Sequence, residues 1–377
     1  MNTRPTVAEI FRAHGEEFLA AYGTRLLSYV KKALWYIAHC RTEALGSTIV
    51  ACPTCGYREQ RFNSCRHRGC PQCEGAKDAE WMKAREEELL PVHYFHAVFT
   101  VPHVLNVLFL GNARQCYAIM FQAVAKTILT VGKNRLNAKL GFFSVLHTWG
   151  QLLTVHPHIH CVVPGGGIRE DGSWVQSSKR RRYLAPEKVL SEVFRGILLK
   201  ALRRAYRRNT IRFDGDFELL LSVAAKHTWV VYAQPPFDSP RHVLMYLSRY
   251  IRKVALSNSR LISLEKGVVS FSFKDYAAQA IQKVARLSAL EFMRRFLLHI
   301  PPPGFVRIRY YGFMAGKGRK QRLTLLREVI AGLLPVVIKD DSQSTDSFLP
   351  GRCPVCAIGF LIVVTEIPAR RIRKDSS

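Results

Sequence analysis

The sequence predicts an α+β protein in which mixed short strands and helices follow a helical, cysteine-bearing front. Three observations carry that expectation. Apolar residues recur at helical spacing through residues 7–40, as Ile10, Phe11, Phe18, Leu19 and then Leu26, Leu27, Val30 and Leu34. Two Cys-Pro-X-Cys pairs follow within residues 52–73. From His93 onward, short apolar runs that read as strands alternate with longer helical patterns.

Taken in order, Gly23 and Thr24 divide the opening stretch into two helices. A charged helix is expected from about Lys77 to Leu90, closed by Pro91. His93 to Val101 reads as a strand, with Tyr94, Phe95, Val98 and Phe99 in its apolar run and Pro102 ending it. Residues 112–131 read as a helix, residues 140–149 and 158–163 as strands, and Pro164-Gly165-Gly166-Gly167 as a turn. Residues 186–207 form a basic helix, and Thr228 to Ala233 another strand. Ser239-Pro240 supplies a cap residue and a proline at the first helical position, opening a helix to about Leu256. Two short strands flank Gly267, a helix lies near 286–298, and Val306 to Tyr311 reads as one more strand. After Lys339 the tail is polar and then basic, with order expected only around Cys353 to Val364. The chain thus divides into a helical metal-binding front (1–90), a main α+β domain (91–315) and a basic, partly disordered C-terminal region (316–377).

Composition narrows the function class. Hydrophobic residues make up 48% of the 377, enough for a sizeable core, which excludes a disordered chain. Lys plus Arg number 56 against 28 Asp plus Glu, a net charge of +28. So large an excess opposes compaction unless a polyanion offsets it, and nucleic acid is the commonest such partner. The charge is densest at Lys179 to Arg182, which includes Arg180 and Arg181, at Arg203-Arg204 with Arg207-Arg208, and at Lys317 to Arg322. Gly316-Lys317-Gly318-Arg319-Lys320 reads as a flexible, phosphate-contacting loop or as a solvated one. No basic region with an apolar run and a small-residue cleavage site opens the chain, and Ala357 to Val364 is too short to span a bilayer. The expectation is a cytoplasmic protein with reduced cysteines.

Cys52-Pro53-Thr54-Cys55 and Cys70-Pro71-Gln72-Cys73 are separated by 14 residues. Each pair suits a tight knuckle presenting two thiolates, and two pairs complete a tetrahedral shell, so Cys52, Cys55, Cys70 and Cys73 are expected to hold one structural zinc. Cys65 and His67 lie inside the loop as substitutes, and Cys40 is more distant. Arg58, Arg61, Arg66 and Arg68 make the module a plausible DNA-contacting surface. The pair Cys353 and Cys356 has no partner pair in its own region.

His156-Pro157-His158-Ile159-His160 precedes an apolar run and the glycine turn. Residues at i and i+2 of a strand share a face, so His158 and His160 can bind one divalent ion while Ile159 packs inward. A third ligand is needed: Gln151 lies seven residues upstream, with His156 and His147 as alternatives. Such donors suit magnesium or manganese with positions open to a phosphate oxygen. In the helix expected from Ser239, Tyr246 and Tyr250 stand four apart, one turn from each other, among Arg249, Arg252 and Lys253.

The paired histidines around a hydrophobic residue, the two tyrosines and the upstream cysteine module together resemble the two-tyrosine HUH transposases of the insertion-sequence-ninety-one family. The resemblance runs from about Cys40 to Phe313 and includes Cys40-Arg41-Thr42, Asn63-Ser64-Cys65-Arg66, His147-Thr148-Trp149-Gly150-Gln151 and Trp229-Val230-Val231-Tyr232. It continues through Ser257-Asn258, Arg260-Leu261, Lys274-Asp275-Tyr276, Arg309 and Tyr311-Gly312. The resemblance implies an HUH endonuclease-type antiparallel sheet with helices, preceded by a helical zinc-binding DNA-recognition domain. It further implies a transposase acting on single-stranded DNA at transposon ends and on target DNA, through 5′-phosphotyrosine intermediates formed at Tyr246 or Tyr250. The cofactors implied are structural zinc and catalytic magnesium or manganese, without a nucleotide. The setting implied is the bacterial cytoplasm, nucleoid-associated when DNA is bound. A plasmid replication initiator or relaxase would share this chemistry, and a non-catalytic zinc-containing DNA-binding protein would share the charge and cysteines. The chain departs from the family pattern at Gly69, where a histidine is expected, and at Gln234, Arg252, Ser259 and Tyr310.

Overall fold

The computed structural model describes residues 4–73, 84–177, 185–237, 242, 254–276, 278–332 and 352–369. Tyr246, Tyr250, Arg249, Arg252, Lys253, Arg180 and Arg181 lie outside the described residues. In chain order the strands begin with β1 (Ser47–Ala51), β2 (Arg58–Phe62), β3 (Tyr94–Thr100), β4 (Gly141–Trp149) and β5 (Val155–Pro164). There follow β6 (Gly166–Ile168), β7 (Trp174–Gln176), β8 (Val231–Phe237) and β9 (Leu261–Glu265). The last are β10 (Val268–Asp275), β11 (Ile281–Ser288), β12 (Ile308–Gly312) and β13 (Ile362–Ile367). The fold is α+β, and its paired strands are antiparallel.

The chain forms two compact units, and the first gathers residues 4–73, 256–300 and 352–369 from separated stretches. This interleaving differs from the three consecutive segments that the sequence suggests. Its first helix, Val7–Tyr22, starts at a capping box in which the Thr6 hydroxyl accepts from the Glu9 amide and the Glu9 carboxylate accepts from the Thr6 amide. The helix Ser28–Ala38 packs beside it, burying Val30, Ala33, Leu34 and Ile37. Phe11 meets Phe296 edge-on at 5.5 Å, joining the first helix to the helix Ala289–Leu297. That second helix begins later than expected, because residues 281–288 pair along the whole of β10 instead. Ser288 then caps it, accepting from the Glu291 amide. A second sheet, in the order β13-β1-β2, brings the far end of the chain against the first cysteine pair.

The second unit holds a five-stranded antiparallel sheet in the order β12-β4-β5-β3-β8. Period-two alternation sorts its side chains. Phe95, Phe99, Phe142, Leu146, Ile159, Cys161 and Val163 form one buried layer with the helices Ala113–Leu136 and Glu187–Arg207. Tyr94, Phe143, Val145 and Val162 point the other way and pack with Leu323, Leu326 and Ile330 of the helix Arg319–Ala331. The basic loop expected at residues 316–320 therefore ends in a helix. Its Arg319 pairs with the buried Glu88 carboxylate at 2.7 Å.

Ile159 is fully buried on the sheet face opposite that of His158 and His160 and fixes which way β5 faces. Ile159→Ala is expected to lower unfolding free energy by about 2–5 kcal/mol and Ile159→Val by about 0.5–1.5 kcal/mol, read by chemical denaturation. In the first unit, hydrogen bonds from Arg294 hold the Glu291 carboxyl down to about 2 from its ordinary 4.5, with Arg295 adding to them. A depressed carboxyl stabilises fully above its unfolded value and loses that contribution as pH falls through the folded one. Glu291→Gln should thus cost less than about 1 kcal/mol at neutral pH, since the cluster is half in solvent. The difference from the unaltered chain should close as pH drops from about 4.5 to 2.

Candidate metal centres

Eight thiols of the first unit assemble into two groups of four. Cys40, Cys65, Cys70 and Cys73 form one, and Cys52, Cys55, Cys353 and Cys356 the other. In each, the sulfurs all lie within 4.8 Å of one another. The expected single site of Cys52, Cys55, Cys70 and Cys73 is thus divided, with the two Cys-Pro-X-Cys knuckles serving different groups. The physical reason is the β1–β2 hairpin between them. It carries Cys52 and Cys55 at its turn, while beyond its open end residues 63–65 return to the end of the Ser28–Ala38 helix, where Cys40 sits.

In the first group Cys73 Sγ lies 3.4 Å from Cys40 Sγ and 3.6 Å from Cys65 Sγ. A tetrahedral zinc with bonds of about 2.3 Å sets its sulfurs about 3.8 Å apart, so the donor set fits that ion. Amides point at the sulfurs: Cys65 N–H at Cys40 Sγ and His67 N–H at Cys65 Sγ. Crowding drives the thiols apart electrically, with hydrogen bonds from Cys65 and then Cys70 pulling Cys40 down to about 7 while Cys70 is pushed up by Cys40. Cys65, which the sequence offers only as a substitute, completes the shell, so the missing histidine at Gly69 leaves no gap. His67 instead accepts the Gly69 amide through Nδ1 at 3.1 Å.

The second unit brings together a different set of donors. His147 of β4 stands directly opposite His158 of β5, and Val145 opposite His160, so the three histidines share one sheet face. Their ligand nitrogens lie within 4.8 Å of one another. His147 is therefore the third member of the cluster. His156 contributes its backbone instead, its carbonyl accepting from His158 Nδ1 at 2.7 Å, while its side chain is exposed. Gln151 lies half-buried in the turn after β4. Burial pushes His158 down to about 4, and burial followed by the neighbouring His147 pushes His160 well below its ordinary value. Both rings are then neutral at pH 7, the form in which imidazole binds metal.

A fourth histidine was not legible as part of this site. His96 of β3 is buried on the same face, its Nε2 3.0 Å from His160 Nδ1 and its ring stacked on that of His160. The sequence signal was faint: a polar residue at an alternate position inside the apolar run His93–Val101.

Two family models match the chain. The family model described as "Transposase zinc-binding domain" matches residues 10–101, and that described as "Putative transposase" matches residues 141–322. "Putative transposase y4qJ" of Sinorhizobium fredii (strain NBRC 101917 / NGR234) is 41% identical over 382 residues, covering 96% of this chain and 95% of the relative. The transposase for insertion sequence element IS801 of Pseudomonas savastanoi pv. phaseolicola is 30% identical over 304 residues, 78% of this chain and 73% of that one. The chain belongs to the insertion-sequence-ninety-one family of transposases. The thiol group of Cys40, Cys65, Cys70 and Cys73 falls wholly within the zinc-binding part of this transposase, and His147, His158 and His160 within the second matched region. Among the described residues, no helix is long and apolar enough to cross a membrane.

The two orienting contacts give this site a measurable signature. His147→Ala should weaken manganese binding as severely as His158→Ala, read by isothermal titration calorimetry. His96→Ala should weaken it about 10–100-fold, as loss of a partner behind a ligating imidazole does. His156→Ala should change it little, since the backbone carbonyl remains.

Proposed function

We propose that this transposase cleaves and rejoins single-stranded DNA at the ends of an insertion sequence through 5′-phosphotyrosine intermediates. Rolling-circle transposition follows from that chemistry. The observation that carries the reading is the trio His147, His158 and His160, brought within 4.8 Å on one face of an antiparallel sheet. Neutral imidazoles at that spacing suit a divalent metal ion, for which the family resemblance implies magnesium or manganese, and an ion held there would supply Lewis acidity toward a scissile phosphate oxygen.

The chain's own groups supply the rest. The His156 carbonyl holds the hydrogen of His158 on Nδ1, leaving Nε2 as its ligand nitrogen. His96 Nε2, 3.0 Å from His160 Nδ1, orients the His160 ring. Sequence resemblance assigns the nucleophile to Tyr246 or Tyr250. The phenolic oxygen attacks phosphorus, the bond from phosphorus to the 3′ oxygen breaks, and that oxygen leaves with the electron pair and takes a proton. The phosphotyrosine conserves the energy of the broken bond, so a later 3′ hydroxyl can attack it and rejoin DNA without ATP. The excess of positive charge serves the phosphate backbone of the strand.

The test is an adduct assay. Labelled single-stranded DNA from the element's ends, mixed with protein and magnesium or manganese, should yield a protein–DNA species that survives denaturation. Tyr246→Phe with Tyr250→Phe together, or His158→Ala alone, should abolish it, and the single tyrosine changes should rank the two nucleophiles. Tight DNA binding with no adduct on any end sequence would make the chain a DNA-binding protein without this chemistry.

A further inference from the structure

The second thiol group draws two of its four members from the far end of the chain. Cys52 Sγ lies 3.8 Å from Cys356 Sγ, and Cys55 Sγ lies 3.6 Å from Cys353 Sγ. These separations match the edge of a tetrahedron of sulfurs around zinc, about 3.8 Å. The two halves are also built alike. In each, the residue after the second cysteine turns back and donates its amide to the carbonyl of the first, Gly56 to Cys52 and Ala357 to Cys353, both at 2.9 Å. Both take a left-handed backbone, with φ of 74° at Gly56 and 58° at Ala357. For alanine that conformation costs about 1 kcal/mol or more, so something must hold it. Further along the same turn Gly359 donates to Cys356 Sγ at 3.4 Å. A side chain at Gly359 would meet Cys52 Sγ at 2.5 Å, so the backbone there is fitted against the opposite knuckle.

The strands repeat the same closure. β13 pairs with β1 from Ser47 opposite Ile367 to Ala51 opposite Ile362, directly adjoining the thiol group. Yet every residue of β13 is exposed, so apolar burial contributes little to keeping it there. A strand so poorly buried needs another constraint, and four converging thiols supply the ligands for one.

We propose that Cys52, Cys55, Cys353 and Cys356 bind a second structural zinc, separate from the one held by Cys40, Cys65, Cys70 and Cys73. This ion clamps residues 352–369 onto the N-terminal zinc-binding region across some 300 residues of sequence. The shell of four thiolates is closed, so its role is architectural. One consequence is local: Glu366, Ile367 and Pro368 help wall a groove of about 1200 Å³ whose other lining includes Arg41, Arg61 and Arg66. The clamp keeps that wall in place.

The test counts metal in the full-length chain carrying His158→Ala and His160→Ala, which removes the histidine cluster as a competing zinc site. Plasma mass spectrometry should find two zinc ions per chain. Adding Cys353→Ser and Cys356→Ser should leave one, while adding Cys356→His, which retains a zinc ligand, should keep two. Amide exchange over β13 should accelerate at least tenfold in the double serine variant, with the Val7–Tyr22 helix unchanged. One zinc in the parent chain overturns the proposal whatever the variants do. So do two zincs retained by the double serine variant, or β13 protection that survives it.

Discussion

The antiparallel register between β4 and β5 is the constraint on which the second unit's chemistry depends. It sets His147 opposite His158 and Val145 opposite His160, and the strand period then sends every histidine of the trio to one face. The same alternation drives Phe142, Leu146, Ile159, Cys161 and Val163 into the layer beneath. A slip of one residue would bury the imidazoles among phenylalanines and expose the core, a change worth many kilocalories. The apolar half of the strands therefore specifies the polar half. The donors need no scaffold of their own, because the sheet cannot form in another register without losing its core.

The first unit solves a different problem. The β13-β1-β2 sheet is thin and largely exposed, with burial concentrated at Ser47 and Val50 of its central strand. Too little apolar surface lies there to fix three short strands by burial. Thiol groups at the ends of the hairpin replace it. One joins the helix end at Cys40 to the returning loop, and the other joins the first knuckle to the last. Tyr57, beside that first knuckle, offers its carbonyl to the Cys52 amide, so even the turn geometry serves the cysteines.

What was legible in the sequence follows from range. His158 and His160 are two residues apart, and strand period alone puts them together. His147 is a partner only through β4–β5 pairing, which spacing along the chain does not encode, so it ranks there only as an alternative, behind Gln151 and His156. His96 lies on a third strand and was further out of reach. The cysteines misled for the same reason. Two neighbouring Cys-Pro-X-Cys pairs suggest one ion when proximity along the chain is the guide. Yet the count held a hint: setting aside Cys116 and Cys161, buried singly in the core, leaves eight thiols, enough for two shells of four.

Charge shows how an excess of arginine is accommodated without a polyanion in the interior. Glu88 is almost fully buried, and Arg85 and Arg319 approach the same carboxylate oxygen at 3.0 and 2.7 Å. Both guanidiniums also lie against the Tyr310 ring, 5.9 and 3.9 Å from its centroid, and Arg85 donates to the Tyr310 hydroxyl at 2.5 Å. The phenol offers its ring face to two cations and its oxygen to one of them. The cluster is not an efficient source of stability, since burying three charged groups costs nearly what their attraction returns. Its value is positional. It ties the helix Arg319–Ala331 to residues 85–88, and Leu323, Leu326 and Ile330 of that helix cover the sheet face that carries the histidines. The ion pairs thus hold in place the cover of one half of that face.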